Sequence, residues 1–139
     1  MRRRSFLAGL AAASLAAGPT WAQAAPDAAA IRDVIGSQLD AFLADDGQRA
    51  WFYASPGIQQ MFRTEDIFMG MVRNGYQPVY RPKSRAFEAL RDTATGPEQD
   101  VRLTDAAGEE WIAIYSMEQQ PDGSWKIAGC RLVKAPPSV

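Results

Sequence analysis

Chemistry in this protein would have to come from carboxylate, tyrosine, arginine or amide side chains, because the chain contains no histidine. Histidine is the commonest general base near neutral pH and a frequent ligand of zinc. The sequence also lacks a glycine-rich phosphate loop and a Gly-x-Ser-x-Gly nucleophile turn, and Cys130 is its single cysteine. What remains for catalysis is a carboxylate held between apolar walls and assisted by a tyrosine. Only Glu88 and Glu118 fall on predicted strands from which they could point inward, so no catalytic residue is assigned.

Five polar side chains lie where a small ligand could meet them. Gln38 falls on the apolar face of the first predicted helix, and a buried amide must either find backbone or water partners or face a cavity. Three others belong to the segment YQPVYRP at residues 76–82, where they could rim an opening and meet an anion or a carbonyl group. The alternative is a rigid bridge whose aromatic rings close one end of the core. The candidate ligand-binding residues are Gln38, Tyr53, Tyr76, Tyr80 and Arg81.

Three carboxylates lie close together at Asp40, Asp45 and Asp46. Their spacing does not match the alternation of ligands in a calcium-binding loop. Asp45 and Asp46 are better explained as residues that end one helix and cap the next. We therefore predict neither a metal nor a cofactor.

The N-terminus has the three parts of an export signal: a basic start, a mildly apolar middle and small residues before a cleavage point. Its RRSFL segment also fits the twin-arginine pattern, although an ordinary signal peptide with chance arginines is the alternative. We predict a signal at residues 1–24 and a periplasmic or secreted protein, exported by the twin-arginine route, with no stable membrane anchor after cleavage. The residues involved would be Arg3, Arg4, Phe6 and Leu7 for recognition and Ala22 and Ala24 for cleavage.

The charge and length of the mature protein limit which partners it can bind and how many domains it can form. The first 24 residues hold three of the 15 basic residues and none of the 16 acidic ones, so 12 basic and 16 acidic residues would remain, a net charge of −4. A net negative chain without clusters of basic residues lacks the positively charged surface with which proteins bind nucleic acid. The remaining length predicts a single domain at residues 25–134 and a flexible tail at residues 135–139.

Residues 28–76 read as helices. The 3.6-residue period predicts a long helix at residues 28–44, capped by Asp27, and a second helix at residues 48–54. Ser55 and Thr64 are predicted to cap a short helical turn and a further helix that ends at Asn74-Gly75. Residues 76–82 contain two prolines and predict a stiff extended connector. The side chains expected on the buried faces include Ile31, Val34, Ile35, Leu39, Phe42, Leu43, Ile67, Phe68, Met71 and Val72.

Residues 84–133 read as four strands with a period of two, at residues 84–92, 98–105, 109–119 and 124–133. The short turns between them predict an antiparallel meander, with a hairpin closed by the turn QPDGS at residues 120–124. The third strand carries apolar groups on both faces, with Trp111, Ala113, Tyr115 and Met117 on one of them. Helices can cover only one face, so we predict a homodimer through the other. Cys130 is expected to be a buried, unreactive thiol.

Five blocks carry a resemblance to known proteins: QLDAF (38–42), ASPGI (54–58), MVRNGY (71–76), PVYRP (78–82) and PDGSWKIAGC (121–130). In this order they resemble the bacterial family called domain of unknown function 4864. The order of helices and strands also resembles the nuclear transport factor 2-like superfamily. The resemblance implies an α+β fold in which N-terminal helices pack on a curved four-stranded antiparallel meander to form a cone. It implies no activity, because a fold does not define one.

The interpretation that the sequence favours is an exported, non-catalytic protein that binds a small apolar or mixed-polarity ligand in a helix-covered cavity. One alternative is a metal-independent acid/base isomerase or dehydratase. Another is a structural or assembly subunit that acts through the sheet face.

Overall fold

The computed structural model describes residues 20–137, and for residues 20–26 it describes the course of the backbone only. The described chain forms five helices followed by four strands, which confirms the α+β class. The helices are α1 (Thr20–Leu43), α2 (Gly47–Phe52), α3 (Pro56–Phe62), α4 (Glu65–Gly75) and α5 (Gln77–Tyr80). The strands are β1 (Ser84–Thr93), β2 (Gly96–Thr104), β3 (Glu110–Gln119) and β4 (Trp125–Lys134).

The first helix begins earlier than predicted. Asp27 lies inside α1 rather than at its N-terminus, because the alanine-rich residues around it continue the helix. The predicted cleavage residues Ala22 and Ala24 lie in this early part of α1, whereas the predicted twin-arginine motif lies outside the described residues. Export therefore stays a prediction.

Three of the predicted helix caps are confirmed. The side chains of Asp46, Ser55 and Thr64 each accept a hydrogen bond from the backbone N–H three residues further along, at 3.1, 3.3 and 3.2 Å. These bonds satisfy one of the otherwise unpartnered N–H groups at the start of α2, α3 and α4. Pro56 follows Ser55 at the first helical position, where the missing N–H costs nothing.

The predicted extended connector at residues 76–82 is wrong in its central part, where the chain forms α5. Pro78 lies in the first turn of this helix, where a backbone N–H has no intrahelical partner, so the proline ring is tolerated. Pro78 and Val79 are both buried. Their burial against the core outweighs the preference of a residue before proline for an extended backbone.

The sheet is the predicted antiparallel meander, with strand order β1-β2-β3-β4. Each strand boundary lies within two residues of its predicted position. In the β3–β4 turn, Gln120 N–H donates to Ser124 O at 2.7 Å, and Gly123 adopts a φ of 88°, which favours glycine.

Two irregularities bend the sheet, one in β1 and one in β4. Gln99 fills the first: it is 0% exposed, and its amide Nε2 donates to the carbonyl oxygens of Glu88 at 3.0 Å and Ala89 at 3.3 Å. In the second, Ser116 pairs with Gly129 and Met117 pairs with Ile127, so the residue between them on β4 has no partner on β3. Such bulges increase the local bend and twist of a sheet.

The core lies between α1, α4 and the inner face of the sheet. The predicted inward residues Ile31, Ile35, Leu39 and Phe42 of α1 are buried there together with Val101, Ala113 and Tyr115 of the sheet. Two other predictions of burial are wrong, because Leu43 is 46% and Ile67 is 56% exposed. Leu43 is the last residue of α1 and Ile67 lies in the first turn of α4, where the helices leave the core. Met69 is buried in α4 instead.

The outer face of the sheet carries ion pairs between strands. Arg102 contacts Glu88 at 3.2 Å and Glu110 at 3.0 Å, and it lies opposite Ile112 in the β2–β3 ladder. Ile112 is only 8% exposed in the single chain, and the aliphatic stem of an arginine can cover such a neighbour. Arg102 of the same chain can therefore cover part of the apolar outer face that a second subunit was expected to cover. The homodimer stays a prediction.

No helix among the described residues is both long enough and apolar enough to cross a membrane.

Candidate functional site

A cavity of about 340 Å³ lies between the helices and the inner face of the sheet. This volume is at the small end of the roughly 300–1,000 Å³ that ligand sites commonly have. Its helical wall is mainly apolar, and the side chains that form it include Phe42, Ile58, Phe62, Phe68, Met71 and Val72. The sheet side is formed by Tyr115 of β3 and by residues 127–130 of β4.

Small residues and a loosely packed helix leave this space open. The bulged part of β4 brings Ala128 to the cavity wall, where a larger side chain would fill part of the space, whereas a side chain at Gly129 would point toward Ser116. On the opposite side, α3 contributes no buried residue. Met61 of α3 lines the cavity and is 72% exposed, so its side chain lies at the mouth. The cavity is therefore open to solvent beside α3.

A backbone bridge holds the rim of the cavity to β4. Ile127 N–H donates to Tyr53 O, and Ser55 N–H donates to Ile127 O, both at 2.8 Å. The aromatic ring of Tyr53 packs edge-on against Phe52, with the ring centroids 5.2 Å apart. Tyr53 is absent from the described side chains that line the cavity. The structure therefore gives this predicted binding residue a place in the support of the site.

Gln38 lines the cavity and is 4% exposed. Its Nε2 donates to the carbonyl oxygen of Ala50 in α2 at 3.0 Å. The sequence left two outcomes open for this amide, a backbone partner or a cavity, and the structure combines them. Gln38 ties α1 to α2 while one side of it faces the cavity.

Tyr76 also lines the cavity. Its hydroxyl donates to the backbone carbonyl of Cys130 at 3.1 Å, which joins the end of α4 to β4. Burial raises the pKa of Tyr76, and the nearby Cys130 thiol raises it further, so the hydroxyl keeps its proton at neutral pH.

Tyr80 and Arg81 lie apart from the cavity and form a polar cluster with Asp45. The hydroxyl of Tyr80 donates to Asp45, and Arg81 Nη2 contacts the second oxygen of this carboxylate at 2.8 Å. The guanidinium of Arg81 also stacks on the Tyr80 ring, 4.0 Å from its centroid. The pKa of Asp45 is lowered mainly by the Tyr80 hydrogen bond and then by Arg81. The cluster joins the C-terminal end of α1 to α5.

Two residues of the cavity, Tyr115 and Cys130, were not predicted as site residues. They lie opposite each other in the β3–β4 ladder. Tyr115 is 1% exposed, and its hydroxyl has no hydrogen-bond partner among the described residues. Burial, followed by the Cys130 thiol, raises the pKa of Tyr115 well above its ordinary value. Burial also raises the pKa of Cys130 to about 12, against a smaller lowering by Tyr115.

The pattern of β3 put Tyr115 on the same face as Ala113 and Met117, which the structure shows to be the inner face. The pattern could not separate a tyrosine that fills the core from one beside a cavity. Polar residues of a core and of a site share the same period along a strand. The one available signal was the shared inward direction of Tyr115 and Cys130 on neighbouring strands.

The cavity has no charged lining among the described residues. Glu88, one of the two acids considered for catalysis, pairs with Arg102 on the outer face, and Glu118, the other, is exposed. Within the described part of the chain, no three histidine, cysteine or acidic side chains come together as a metal site would need. The arrangement can enclose an apolar molecule and offer it neutral hydrogen-bonding groups.

Comparison with known proteins gives one match. The model of the family described as Domain of unknown function (DUF4864) matches residues 24–138. No curated protein and no solved structure matches the chain.

Proposed function

We propose that this protein, which belongs to the family described as Domain of unknown function (DUF4864), binds a small, largely apolar molecule in its cavity and catalyses no reaction on it. The observation that carries the proposal is an open cavity of about 340 Å³ with an apolar wall and no charged lining among the described residues. Removing apolar surface from water contributes about 25 cal/mol per Å², which is the main driving force available in such a site.

The acid/base alternative has less support. It needs a carboxylate within the apolar walls, where its pKa could be raised toward neutrality. The two acids considered for this role, Glu88 and Glu118, lie outside the cavity lining. Tyr115 and Tyr76 hold their protons too firmly to act as bases near neutral pH. The assembly alternative rests on the outer sheet face, where Val133 is 43% exposed.

Two wider proposals concern the fold and the location. We infer membership of the nuclear transport factor 2-like superfamily, since helices precede a bent four-stranded meander and enclose a cavity with it. The N-terminal sequence supports export to the periplasm by the twin-arginine route. Replacing both Arg3 and Arg4 with lysine should abolish export, and unchanged periplasmic accumulation would refute this route.

Ligand binding can be tested with the neutral fluorescent probe N-phenyl-1-naphthylamine. We expect its fluorescence to rise on binding the purified protein, and a ligand at 100 times its dissociation constant to add roughly 2.7 kcal/mol to the free energy of unfolding. Ile58→Trp should weaken probe binding at least about tenfold, because Ile58 lines the cavity and the larger ring would occupy it.

The matched control is Ile67→Trp, the same exchange at an exposed position of α4 outside the cavity lining. This variant should bind the probe as the wild-type protein does. Circular dichroism establishes that both variants are folded. Equal binding by the two variants would place the probe elsewhere, and absence of binding to the wild-type protein would leave assembly as the better interpretation.

A further inference from the structure

The hydroxyl of Tyr115 is a buried polar group without a partner in hydrogen-bond geometry among the described residues, although the Cys130 thiol lies near enough to act on its pKa. Buried hydroxyl groups are almost always hydrogen-bonded, because leaving one unsatisfied destabilises the folded state. Tyr115 belongs to β3, which has a neighbouring strand on each side, so the group lies deep in the domain and not at a frayed edge. An unsatisfied donor at the wall of an open cavity points to a partner that enters through the cavity.

Gln38 and Tyr76, the other lining residues with strong side-chain donors, each donate one hydrogen bond to the protein. The amide of Gln38 donates to Ala50 O, and the hydroxyl of Tyr76 donates to Cys130 O. The Cys130 thiol, whose pKa is about 12, stays protonated and is a weak donor. Tyr115 therefore carries the one hydroxyl in the described cavity lining that has no protein partner in hydrogen-bond geometry.

Charge determines which ligands suit this donor. The described lining contains no lysine or arginine, so a carboxylate inside the cavity would lack an ion partner. Transferring an unpaired ion from water to an apolar site is strongly unfavourable. A carbonyl or ether oxygen accepts a hydrogen bond from a hydroxyl without this cost.

We propose that Tyr115 donates a hydrogen bond to a carbonyl or ether oxygen of an uncharged, otherwise apolar ligand, and so selects such molecules over hydrocarbons and carboxylates of the same length. This inference rests on the proposed binding function. The hydroxyl exposes almost no surface, so a ligand must displace a neighbouring side chain to reach it.

The test compares methyl octyl ketone, decane and decanoate as competitors of N-phenyl-1-naphthylamine. In the wild-type protein we expect the ketone to bind roughly 3- to 10-fold more tightly than decane, the gain from one net hydrogen bond, and decanoate to bind most weakly. Tyr115→Phe should remove the preference for the ketone and leave decane affinity unchanged. The variant should fold, because it loses only the unsatisfied hydroxyl. Tyr53→Phe, whose ring lies outside the cavity lining, should keep the preference.

The outcomes separate this inference from the proposed function. If the wild-type protein binds these molecules but Tyr115→Phe keeps the ketone preference, or if decanoate binds most tightly, the role of Tyr115 is overturned and cavity binding stands. If the probe binds in the cavity but none of the three molecules displaces it, the role of Tyr115 is overturned and cavity binding stands. If the probe does not bind, both are overturned.

Discussion

Replacement of Gln38 by leucine should destabilise the protein measurably, although leucine is the more apolar residue. Gln38 is 4% exposed, and its amide is the donor to Ala50 O in α2, at 3.0 Å. Leucine cannot donate, so the buried carbonyl of a residue that is itself 0% exposed would lose this partner. An unsatisfied buried group costs about 1–3 kcal/mol. For a domain of this size, each kcal/mol corresponds to a shift in melting temperature of roughly 4 °C, so we expect a decrease of about 4–12 °C.

Gln59→Leu provides a matched control for this experiment. The amide of Gln59 also donates to a carbonyl oxygen of α2, that of Trp51, at 2.9 Å, but Gln59 is only half-buried. Trp51 O also accepts a hydrogen bond from Ala54 N–H at 3.1 Å, and water can replace the Gln59 amide, so the loss should stay below about 1 kcal/mol. Urea denaturation and thermal unfolding of the two variants give the comparison. Equal losses, or a Gln38→Leu variant as stable as the wild-type protein, would refute the role assigned to burial.

Two further predictions concern ionisable groups. The carboxylate of Asp105 accepts a hydrogen bond from Trp111 Nε1 at 2.9 Å, and this bond is the main cause that lowers its pKa below the ordinary value of 3.8. A lowered carboxyl pKa stabilises the fold above the ordinary value, and this stability is lost as the pH falls through the folded-state pKa. Asp105→Asn should therefore flatten the loss of stability below about pH 4 in urea titrations followed by tryptophan fluorescence, and an unchanged acid profile would contradict this. Cys130 is partly buried, and burial raises its pKa from 9.0 to about 12, so much less thiolate is present at pH 8 than in the unfolded chain. Ellman's reagent should react correspondingly more slowly with the native than with the urea-unfolded protein, and rates within tenfold of each other would show that the thiol is accessible.

Local rules of the sequence were sufficient for most element boundaries. Caps and turns are decided by side chains within about three residues, as at Asp46, Ser55 and Thr64, and such contacts can be derived from spacing alone. The alternation of β3 likewise put Tyr115 on one face together with Ala113 and Met117, and all three are buried. The same rules failed for α5, because the burial of Val79 is a tertiary contact that no neighbouring residue reveals.

The candidate binding residues show a sharper limit. Tyr80 and Arg81 have the chemistry of a ligand-binding pair, yet Asp45, which precedes them by more than thirty residues, satisfies both. A sequence shows which groups can donate or accept, but not which groups within the protein are already their partners. Gln38 could be identified from the sequence, because its polar side chain interrupts an otherwise apolar helical face. A buried amide at such a position needs either hydrogen-bond partners or a cavity.

The cavity exists because large side chains are missing where β4 faces α3. A large side chain at the bulge in β4 would have filled part of the space below α3, but the small Ala128 lines the cavity there. α3 has no buried residue of its own to close that gap. Core packing is normally dense, so an opening of this size beside an unsatisfied hydroxyl is a cost to stability that packing does not explain. A ligand that fills the opening and accepts a hydrogen bond from Tyr115 would remove both costs together.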